Sequence, residues 1–237
     1  MAETLLQIQN ADVFYGASQI LFGVNLDVKK GQTMALLGRN GAGKSTTFKM
    51  IAGIAPPRRG KVLLAGVHVS GLPPFRIARA GIGFVPEDRQ VFPEHTVDDN
   101  LIVGEKKGPN GEDHWSRERI YEVFPLLAGM KNRNAGRLSG GEQQMLTIAR
   151  TLMGNPELIL LDEPSEGLAP IIVQAIGELI KMLRDMGVTI LLAEQNMHFC
   201  LGIATHATII DKGQIVYSAT IEELRSNDAI KQRYLAV

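Results

Sequence analysis

Residues 38–45 carry the clearest chemical pattern in this 237-residue sequence: GRNGAGKS matches GxxxxGK[ST] and lies between a predicted strand and a predicted helix. In such a loop, glycines allow backbone N–H groups to turn inward around phosphate oxygens, and the helix start adds the positive end of its dipole. Lys44 would reach the β- and γ-phosphates, and the Ser45 hydroxyl would ligate Mg²⁺. The predicted phosphate-loop residues are Gly38, Asn40, Gly41, Ala42, Gly43, Lys44, Ser45 and Thr46.

Two carboxylates follow directly after an apolar run. Leu158–Leu161 predicts a strand covered on both faces, and Asp162 and Glu163 come next. The crevice at the carboxyl ends of strands is where α/β sheets bind ligands. Beside a phosphate loop, we expect Asp162 to bind the Mg²⁺ held by Ser45 and Glu163 to polarise the attacking water.

The segment LSGGEQQ, residues 138–144, predicts a second helix start that can bind an anion. Ser139 would cap this helix, and Glu142 would complete a capping box. Gly140 and Gly141 leave backbone amides open beside the serine hydroxyl. The chain therefore has two phosphate-binding helix starts and one set of Mg²⁺ ligands, as expected if the second start completes the site of another subunit.

The elements that position these segments alternate between strands and helices, which predicts one mixed α/β domain over residues 1–237 with a largely parallel sheet. A helical subdomain, about residues 91–155, would interrupt a core of residues 1–90 and 156–237. Predicted strands are Leu5–Phe14, Gln32–Leu37, Lys61–Ala65, Ile82–Val85, Leu158–Leu161, Val188–Ala193 and a hairpin of Ile209–Asp211 with Gln214–Tyr217. Predicted helices are Lys44–Ala52, Arg117–Leu127, Gly140–Met153 and Pro170–Met186.

Composition excludes several classes of function. The 25 Lys and Arg residues balance 25 Asp and Glu residues, which argues against a broad nucleic-acid surface. The single cysteine, Cys200, cannot form an intrachain disulfide and is expected to be buried. No run approaches the ~18 apolar residues of a membrane span, and the chain start lacks a secretory signal pattern. We therefore expect a cytoplasmic chain that a partner holds at any membrane.

The phosphate loop, LSGGEQQ and the strand ending in Asp-Glu resemble, in this order, the nucleotide-binding subunit of an ATP-binding cassette (ABC) transporter. The resemblance implies a P-loop NTPase fold of the ABC type, with antiparallel β elements and a helical subdomain beside the sheet. It implies ATP and Mg²⁺ as ligands. It also implies a head-to-tail dimer, in which Ser139, Gly140 and Gly141 act on the partner's γ-phosphate. Tyr15 matches the aromatic residue that stacks on adenine, a contact worth ~1–3 kcal/mol.

Two departures from the common family pattern narrow the resemblance to one branch. Glu87 stands where most members have a glutamine, and Gln195 stands where most have a histidine. Together with VFP at 91–93 and GLAP at 167–170, they resemble the second ATP-binding subunit of branched-chain (hydrophobic) amino acid importers. Glu166 differs from the apolar residue usual in this branch.

The two exchanges alter the chemistry that the resemblance implies. Glu87 would join Ser45 and Asp162 in holding Mg²⁺, and Arg89 is a candidate to neutralise its added charge. Gln195 can donate a hydrogen bond to a γ-phosphate oxygen but cannot shuttle a proton. The catalytic residues implied are Glu163, Gln195 and Lys44.

The resemblance implies an ATPase that drives an importer from the inner face of the cell membrane. The expected partners are a sister ATP-binding subunit or a second copy of this chain, two membrane permease subunits, and a periplasmic or extracellular solute-binding protein, with no nucleic acid. Three alternatives stay open. The first is an importer of urea, an aromatic compound or another small solute. The second is a non-transport ABC ATPase acting on nucleic acid. The third is a degenerate module that senses nucleotide but hydrolyses little.

Overall fold

The computed structural model describes residues 3–235, and over this range the strands form two sheets. The strands are β1 (Thr4–Tyr15), β2 (Ser18–Lys29), β3 (Thr33–Leu37), β4 (Arg59–Leu64), β5 (Val67–His68), β6 (Ile82–Val85), β7 (Leu158–Asp162), β8 (Thr189–Glu194), β9 (His206–Asp211) and β10 (Gln214–Thr220). The helices are α1 (Lys44–Ile51), α2 (Pro74–Arg79), α3 (Val97–Gly104), α4 (Arg117–Val123), α5 (Pro125–Ala128), α6 (Gly140–Leu152), α7 (Pro170–Asp185), α8 (Met197–Ile203), α9 (Ile221–Ser226) and α10 (Asp228–Tyr234), with a 3₁₀ turn at Ala135–Arg137.

The larger sheet is mainly parallel, which confirms the predicted sheet type. Its order is β10-β9-β3-β8-β7-β6 across the described residues. Strands β9, β3, β8, β7 and β6 run parallel to their neighbours, and β10 pairs antiparallel with β9 as the predicted hairpin. All the parallel strands therefore direct their carboxyl ends to one edge.

The central strands are continuously apolar because both of their faces are buried. On β3, Ala35 and Leu37 join one core cluster, which α6, α7 and α8 cover. Met34 and Leu36 join the opposite cluster, which lies against α1 and the smaller sheet. Alternate residues of one strand thus fill two separate cores. Cys200 belongs to the first core and is fully buried, as predicted.

The smaller sheet is antiparallel, with the order β2-β1-β4-β5 within residues 3–235. The sequence prediction includes β1 and β4 but omits β2. The pairing register of β2 with β1 shifts between the pairs Ala11–Val24 and Val13–Leu21, a bulge that contains Gly23. This irregularity breaks the alternation of apolar residues by which a strand is identified.

The chain between β6 and β7 contains α3, α4, α5 and α6, and its described residues form no strand beyond an isolated bridge from Thr96 to Asn134. The predicted continuous helix Arg117–Leu127 is wrong: α4 ends at Val123, and α5 starts at Pro125. Proline has no N–H to donate and disfavours a helical residue before it. Helix α3 was not predicted, and the subdomain boundaries at 91 and 155 stay a prediction. None of the helices formed by residues 3–235 is long and apolar enough to cross a bilayer.

The hairpin turn between β9 and β10 joins the two sheets to the phosphate loop through Gly213. The N–H of Gly213 donates to the Ala42 carbonyl at 2.8 Å, and the Gly213 carbonyl accepts from the N–H of Phe22 at 2.9 Å. Gly213 has a φ of 76°, and a Cβ there would lie 1.9 Å from the Ile20 carbonyl oxygen. Only glycine fits this contact.

Gly213→Ala should lower stability more than an alanine placed at a glycine with similar backbone but open surroundings. Gly111 is such a control, since its φ is 88° and a Cβ would meet nothing within 4 Å. Left-handed backbone alone costs an alanine roughly 1–2 kcal/mol, so Gly213→Ala should lose distinctly more. Urea unfolding measures both variants, and equal midpoints would contradict the contact.

Candidate functional site

A cavity of about 410 Å³ opens at the carboxyl edge of the parallel sheet. The segments that follow β3, β6 and β7 meet there because these strands run in the same direction. The predicted site residues that line it are Tyr15, Asn40, Gly41, Gly43, Lys44, Ser45, Thr46, Glu87 and Glu163. Ile20 and Glu166, which the sequence did not assign to a site, line it as well.

Helix α1 begins at this cavity with an open end. Its N-cap is Gly43, and no side chain among the described residues caps it. Helices α3, α6 and α9, in contrast, begin with capping boxes. The first N–H groups of α1 are therefore available to a ligand. Gly38 and Ala42 shape the loop from outside the cavity lining, through their carbonyl hydrogen bonds to Lys44 and the hairpin turn.

Lys44 is buried and surrounded by oxygen atoms. Its Nζ donates to the carbonyls of Gly38 at 2.8 Å and Arg39 at 3.2 Å, and lies 3.0 Å from Oε1 of Glu163. The side chains of Lys44 and Glu163 are only 3% and 9% exposed. A buried ammonium needs such partners, because the loss of its hydration is costly. Lys44 thus links the phosphate loop to the end of β7.

Ser45 and Asp162 meet as the sequence predicted. The Ser45 Oγ donates to Oδ1 of Asp162 at 3.1 Å. Burial, together with the negative charges of Glu163 and Glu87, raises the pKa of Asp162 to about 6, against the opposing effect of the Ser45 hydrogen bond. Over residues 3–235, no three His, Cys, Asp or Glu side chains are grouped so that they could hold a metal ion. The pair offers two oxygen donors and leaves other positions to a ligand.

Glu163 has a constrained backbone and an acidic neighbour. Its φ is 47°, and its N–H donates to the Ala193 carbonyl of β8 at 2.9 Å. The carboxyl of Glu166 hydrogen-bonds that of Glu163, and this bond, with burial and the nearby negative charges, raises the pKa of Glu166 to about 7. Glu166 therefore belongs to the site. Its one signal in the sequence is a carboxylate where the resembled branch has an apolar residue.

The end of β8 contributes a buried carboxylate that the sequence did not predict. Glu194 is 2% exposed, and its Oε1 accepts a hydrogen bond from the N–H of Ser165 at 3.1 Å. Burial raises the pKa of Glu194. Through its hydrogen bond with the Ser165 N–H, Glu194 fixes the loop that follows Glu163. The next residue, Gln195, is exposed and lies outside the cavity lining, so its predicted contact with phosphate stays a prediction.

Ser139 caps α6 with the predicted capping box. Its Oγ accepts from the N–H of Glu142 at 3.4 Å, and Oε2 of Glu142 accepts from the N–H of Ser139 at 2.7 Å. Ser139, Gly140 and Gly141 do not line the cavity at Lys44. Within the part of the chain that the structure describes, the two predicted phosphate sites therefore do not share a cavity.

Arg89 does not neutralise Glu87, contrary to the expectation from sequence. No ion pair between these residues lies within 4.0 Å in residues 3–235. Instead, Nη2 of Arg89 donates to the carbonyl of Glu166 at 3.1 Å. The backbone of Arg89 is left-handed, with a φ of 61°, and its side chain reaches the loop after Glu163 instead of the Glu87 carboxylate.

Another cavity, of about 510 Å³, lies at the opposite edge of the sheet. Glu157 and Thr189, at the amino ends of β7 and β8, line it together with His114 and Trp115. None of the predicted site residues lies there. Since ligands of parallel sheets bind at carboxyl ends, the smaller cavity at Lys44 is the better candidate site.

Sequence comparisons agree on one family. Residues 21–166 match the family described as ABC transporter. BraG of Pseudomonas aeruginosa, a high-affinity branched-chain amino acid transport ATP-binding protein, is 41% identical over 98% of this chain and 99% of its own length. The probable branched-chain amino acid transport ATP-binding protein LivF of Archaeoglobus fulgidus is 34% identical over 98% and 99%. The lipopolysaccharide export system ATP-binding protein LptB of Haemophilus influenzae is 32% identical over 98% and 97%.

Solved structures agree as well. A nucleotide-free ATP-binding cassette from an ABC transporter has a TM-score of 0.85, with 27% identity and 99% of both chains covered. An ATP-binding cassette of an ABC transporter in its ADP conformation has a TM-score of 0.83, with 28% identity over 96% of this chain and 97% of the other. The expected P-loop fold of the ABC type is confirmed.

Lys44 and Glu163 should be energetically coupled. Lys44→Met leaves a buried carboxylate without its cation, and Glu163→Gln leaves the ammonium without its anion. Removing one partner of a buried pair costs about 3–5 kcal/mol, and the open side of the cavity favours the lower end of this range. The double variant should lose less stability than the sum of the single losses. Urea unfolding of the four proteins measures the coupling, and additive losses would show that the ion pair contributes nothing.

Proposed function

Because this chain belongs to the ABC transporter family and is an ATP-binding subunit with ATPase activity, we propose that it drives the import of branched-chain amino acids. The observation that carries the hydrolytic part is that the phosphate loop and Glu163 line one cavity, with Asp162 in contact with Ser45 of that loop. The solute is supported by the full-length similarity to BraG and LivF. ABC ATPases work in complexes with a second ATPase and membrane components, so the chain is associated with a membrane through partners.

The phosphates of ATP would bind the loop at residues 38–43 and the open start of α1. Uncapped N–H groups and the helix dipole attract phosphate oxygens there. Lys44 would exchange its carbonyl and carboxylate partners for the β- and γ-phosphates. Tyr15, which is 48% exposed at the rim of the cavity, would stack on adenine.

The residues present fit Mg²⁺, which would neutralise charge on the phosphates when bound. This ion prefers oxygen donors and is commonly held by one or two carboxylates together with substrate phosphates. Ser45 and Asp162 supply a hydroxyl and a carboxylate in contact with each other. Glu87 lines the same cavity and would serve as the third protein ligand.

Glu163 would act as the general base on the attacking water. In the structure its carboxylate is paired with Lys44, so a γ-phosphate that draws Lys44 away also frees the base. Its position depends on the hydrogen bond from its N–H to Ala193. Gln195, which is exposed and directly follows β8, would orient toward the γ-phosphate once ATP is bound.

Ser139, Gly140 and Gly141 would complete the site of a partner ATPase in a head-to-tail dimer. They lie outside the cavity of their own chain, yet they stand at the positive end of α6. The Ser139 hydroxyl accepts a hydrogen bond in its cap and keeps its proton to donate to a phosphate. The partner would be a sister subunit or a second copy of this chain.

A groove of about 360 Å³ would receive a cytoplasmic segment of the membrane permease subunits at the inner face of the membrane. Phe84 of β6, Val103 of α3 and Phe92 line it, and Arg150 of α6 stacks on the Phe92 ring at 4.9 Å. Phe92 and Val103 are 43% and 64% exposed. Exposed apolar side chains of this kind are typical of docking surfaces. A periplasmic or extracellular binding protein would deliver the solute.

Lipopolysaccharide export is the second candidate function, supported by the 32% identity to LptB over nearly the whole chain. Within the import proposal, urea or another small solute is the alternative to branched-chain amino acids. The solute contacts the permease and binding protein, so a transport assay must identify it.

In cells whose only copy of this chain carries Glu163→Gln, uptake of labelled leucine should fall to background, since a general base contributes roughly 10²–10⁴-fold to the rate. Glu178→Gln is the matched control, because Glu178 is exposed on α7 and, within residues 3–235, forms its one ion pair with Lys181 on its own helix. Leucine uptake at the wild-type rate in the Glu163→Gln strain would reject the proposal. Lost lipopolysaccharide export with normal leucine uptake would favour the second candidate.

Ser139→Arg should separate ATP binding from hydrolysis. The arginine would obstruct the exposed start of α6 without entering the chain's own cavity. ATP affinity of the isolated subunit should stay at the wild-type value, whereas turnover at protein concentrations that allow dimers should be lost. Lys44→Ala, in comparison, should lose ATP binding itself, because a cation is removed from the phosphates. Loss of binding in isolated Ser139→Arg subunits would contradict the split site.

A further inference from the structure

The turn that follows β6 has a strained backbone. Arg89 and Gln90 have φ values of 61° and 26°, in the left-handed region that side chains other than glycine rarely adopt. Strain of this kind persists where surrounding contacts hold the chain, and it is common at functional sites. The segments that hold this turn therefore indicate which part of the protein it supports.

Helix α6 supplies these contacts. The Thr147 Oγ1 donates to the carbonyl of Arg89, and Nη2 of Arg150 donates to the carbonyl of Gln90 at 2.6 Å. Thr147 is 1% exposed, so the first of these bonds is shielded from water. The turn is thus fastened to the helix that begins with Gly140.

The side chain of Arg89 extends to two other segments. Its Nη2 donates to the carbonyl of Glu166 at 3.1 Å, in the loop that follows Glu163. Its Nη1 packs against Gly140, where a Cβ would lie 2.6 Å from that nitrogen. A cation is unfavourable beside the positive end of a helix. The dipole of α6 therefore disfavours the Arg89 guanidinium beside Gly140. The hydrogen bond to the Glu166 carbonyl stabilises the side chain in this position.

We infer that Arg89 is a positioning residue for ATP hydrolysis, which sets the loop after Glu163 against the first turn of α6. The inference rests on the proposed split site, in which Glu163 serves the chain's own nucleotide and the start of α6 serves that of the partner. Arg89 is not among the residues that line the cavity at Lys44. Its loss should therefore misplace catalytic groups in both sites of a dimer without weakening ATP binding to the phosphate loop.

Arg89→Ala tests this role through a split between turnover and affinity. In the purified full-length chain, turnover at saturating ATP should fall by up to roughly 10²-fold, the effect of a displacement of about 1 Å in a catalytic group. ATP affinity and the melting temperature should stay at wild-type values. Thr147→Val, which removes the hydroxyl that holds the Arg89 carbonyl, should lower turnover in the same direction. Arg233→Ala is the control, since Arg233 is exposed on α10 and stacks on Tyr234.

Two results would overturn the inference: turnover at the wild-type rate in Arg89→Ala, or a loss of ATP affinity equal to the loss of turnover. Wild type and Glu163→Gln are measured alongside. Equal turnover of these two would overturn the proposed function itself. Lost turnover in Glu163→Gln, with wild-type turnover in Arg89→Ala, would overturn the role of Arg89 alone.

Discussion

A buried ammonium has to be surrounded by oxygen atoms, and the site is arranged around this requirement at Lys44. Two of its oxygen partners are carbonyls of its own loop, and the third is the carboxylate of Glu163 at the end of β7. One charge therefore connects the first helix of the chain to a strand more than a hundred residues later. The same demand for oxygen suits Lys44 to its proposed role as a phosphate ligand, because phosphate oxygens can replace all three partners.

The cavity is lined by more negative than positive groups, and this excess of negative charge attracts cations. Glu87, Glu163 and Glu166 line it, and Asp162 lies directly behind Ser45. Burial raises the pKa of Asp162, a hydrogen bond to Glu163 raises that of Glu166, and the negative charges of Glu163 and Glu87 add to both shifts. A triphosphate alone would add to this repulsion, whereas a triphosphate with a divalent cation would relieve it. The electrostatics thus favour a metal-bound nucleotide over a free one.

Helices α1 and α6 differ in whether a side chain caps their first N–H groups. This difference assigns each helix a separate role in the proposed mechanism. Helix α1 follows a glycine and keeps its N–H groups open, whereas α6 is closed by its own serine and glutamate. An open start can bind phosphate in the isolated chain. A capped start holds a defined geometry until another molecule presents a phosphate to it. This contrast suits a site assembled from two subunits.

The sequence alone was sufficient to locate the glycine-rich loop before α1, the two carboxylates at the end of β7 and the cap of α6, because each depends on neighbours close in the chain. The apolar runs also predicted the parallel sheet, since burial on both faces leaves a local pattern. Glu166 beside Glu163, Glu194 beneath Ser165 and the direction of Arg89 were decided only by the tertiary structure. These contacts depend on strand register and on backbone angles that distant packing imposes. The sequence therefore determined which chemical groups the site has, and the fold decided which cation and which carboxylate stand next to each other.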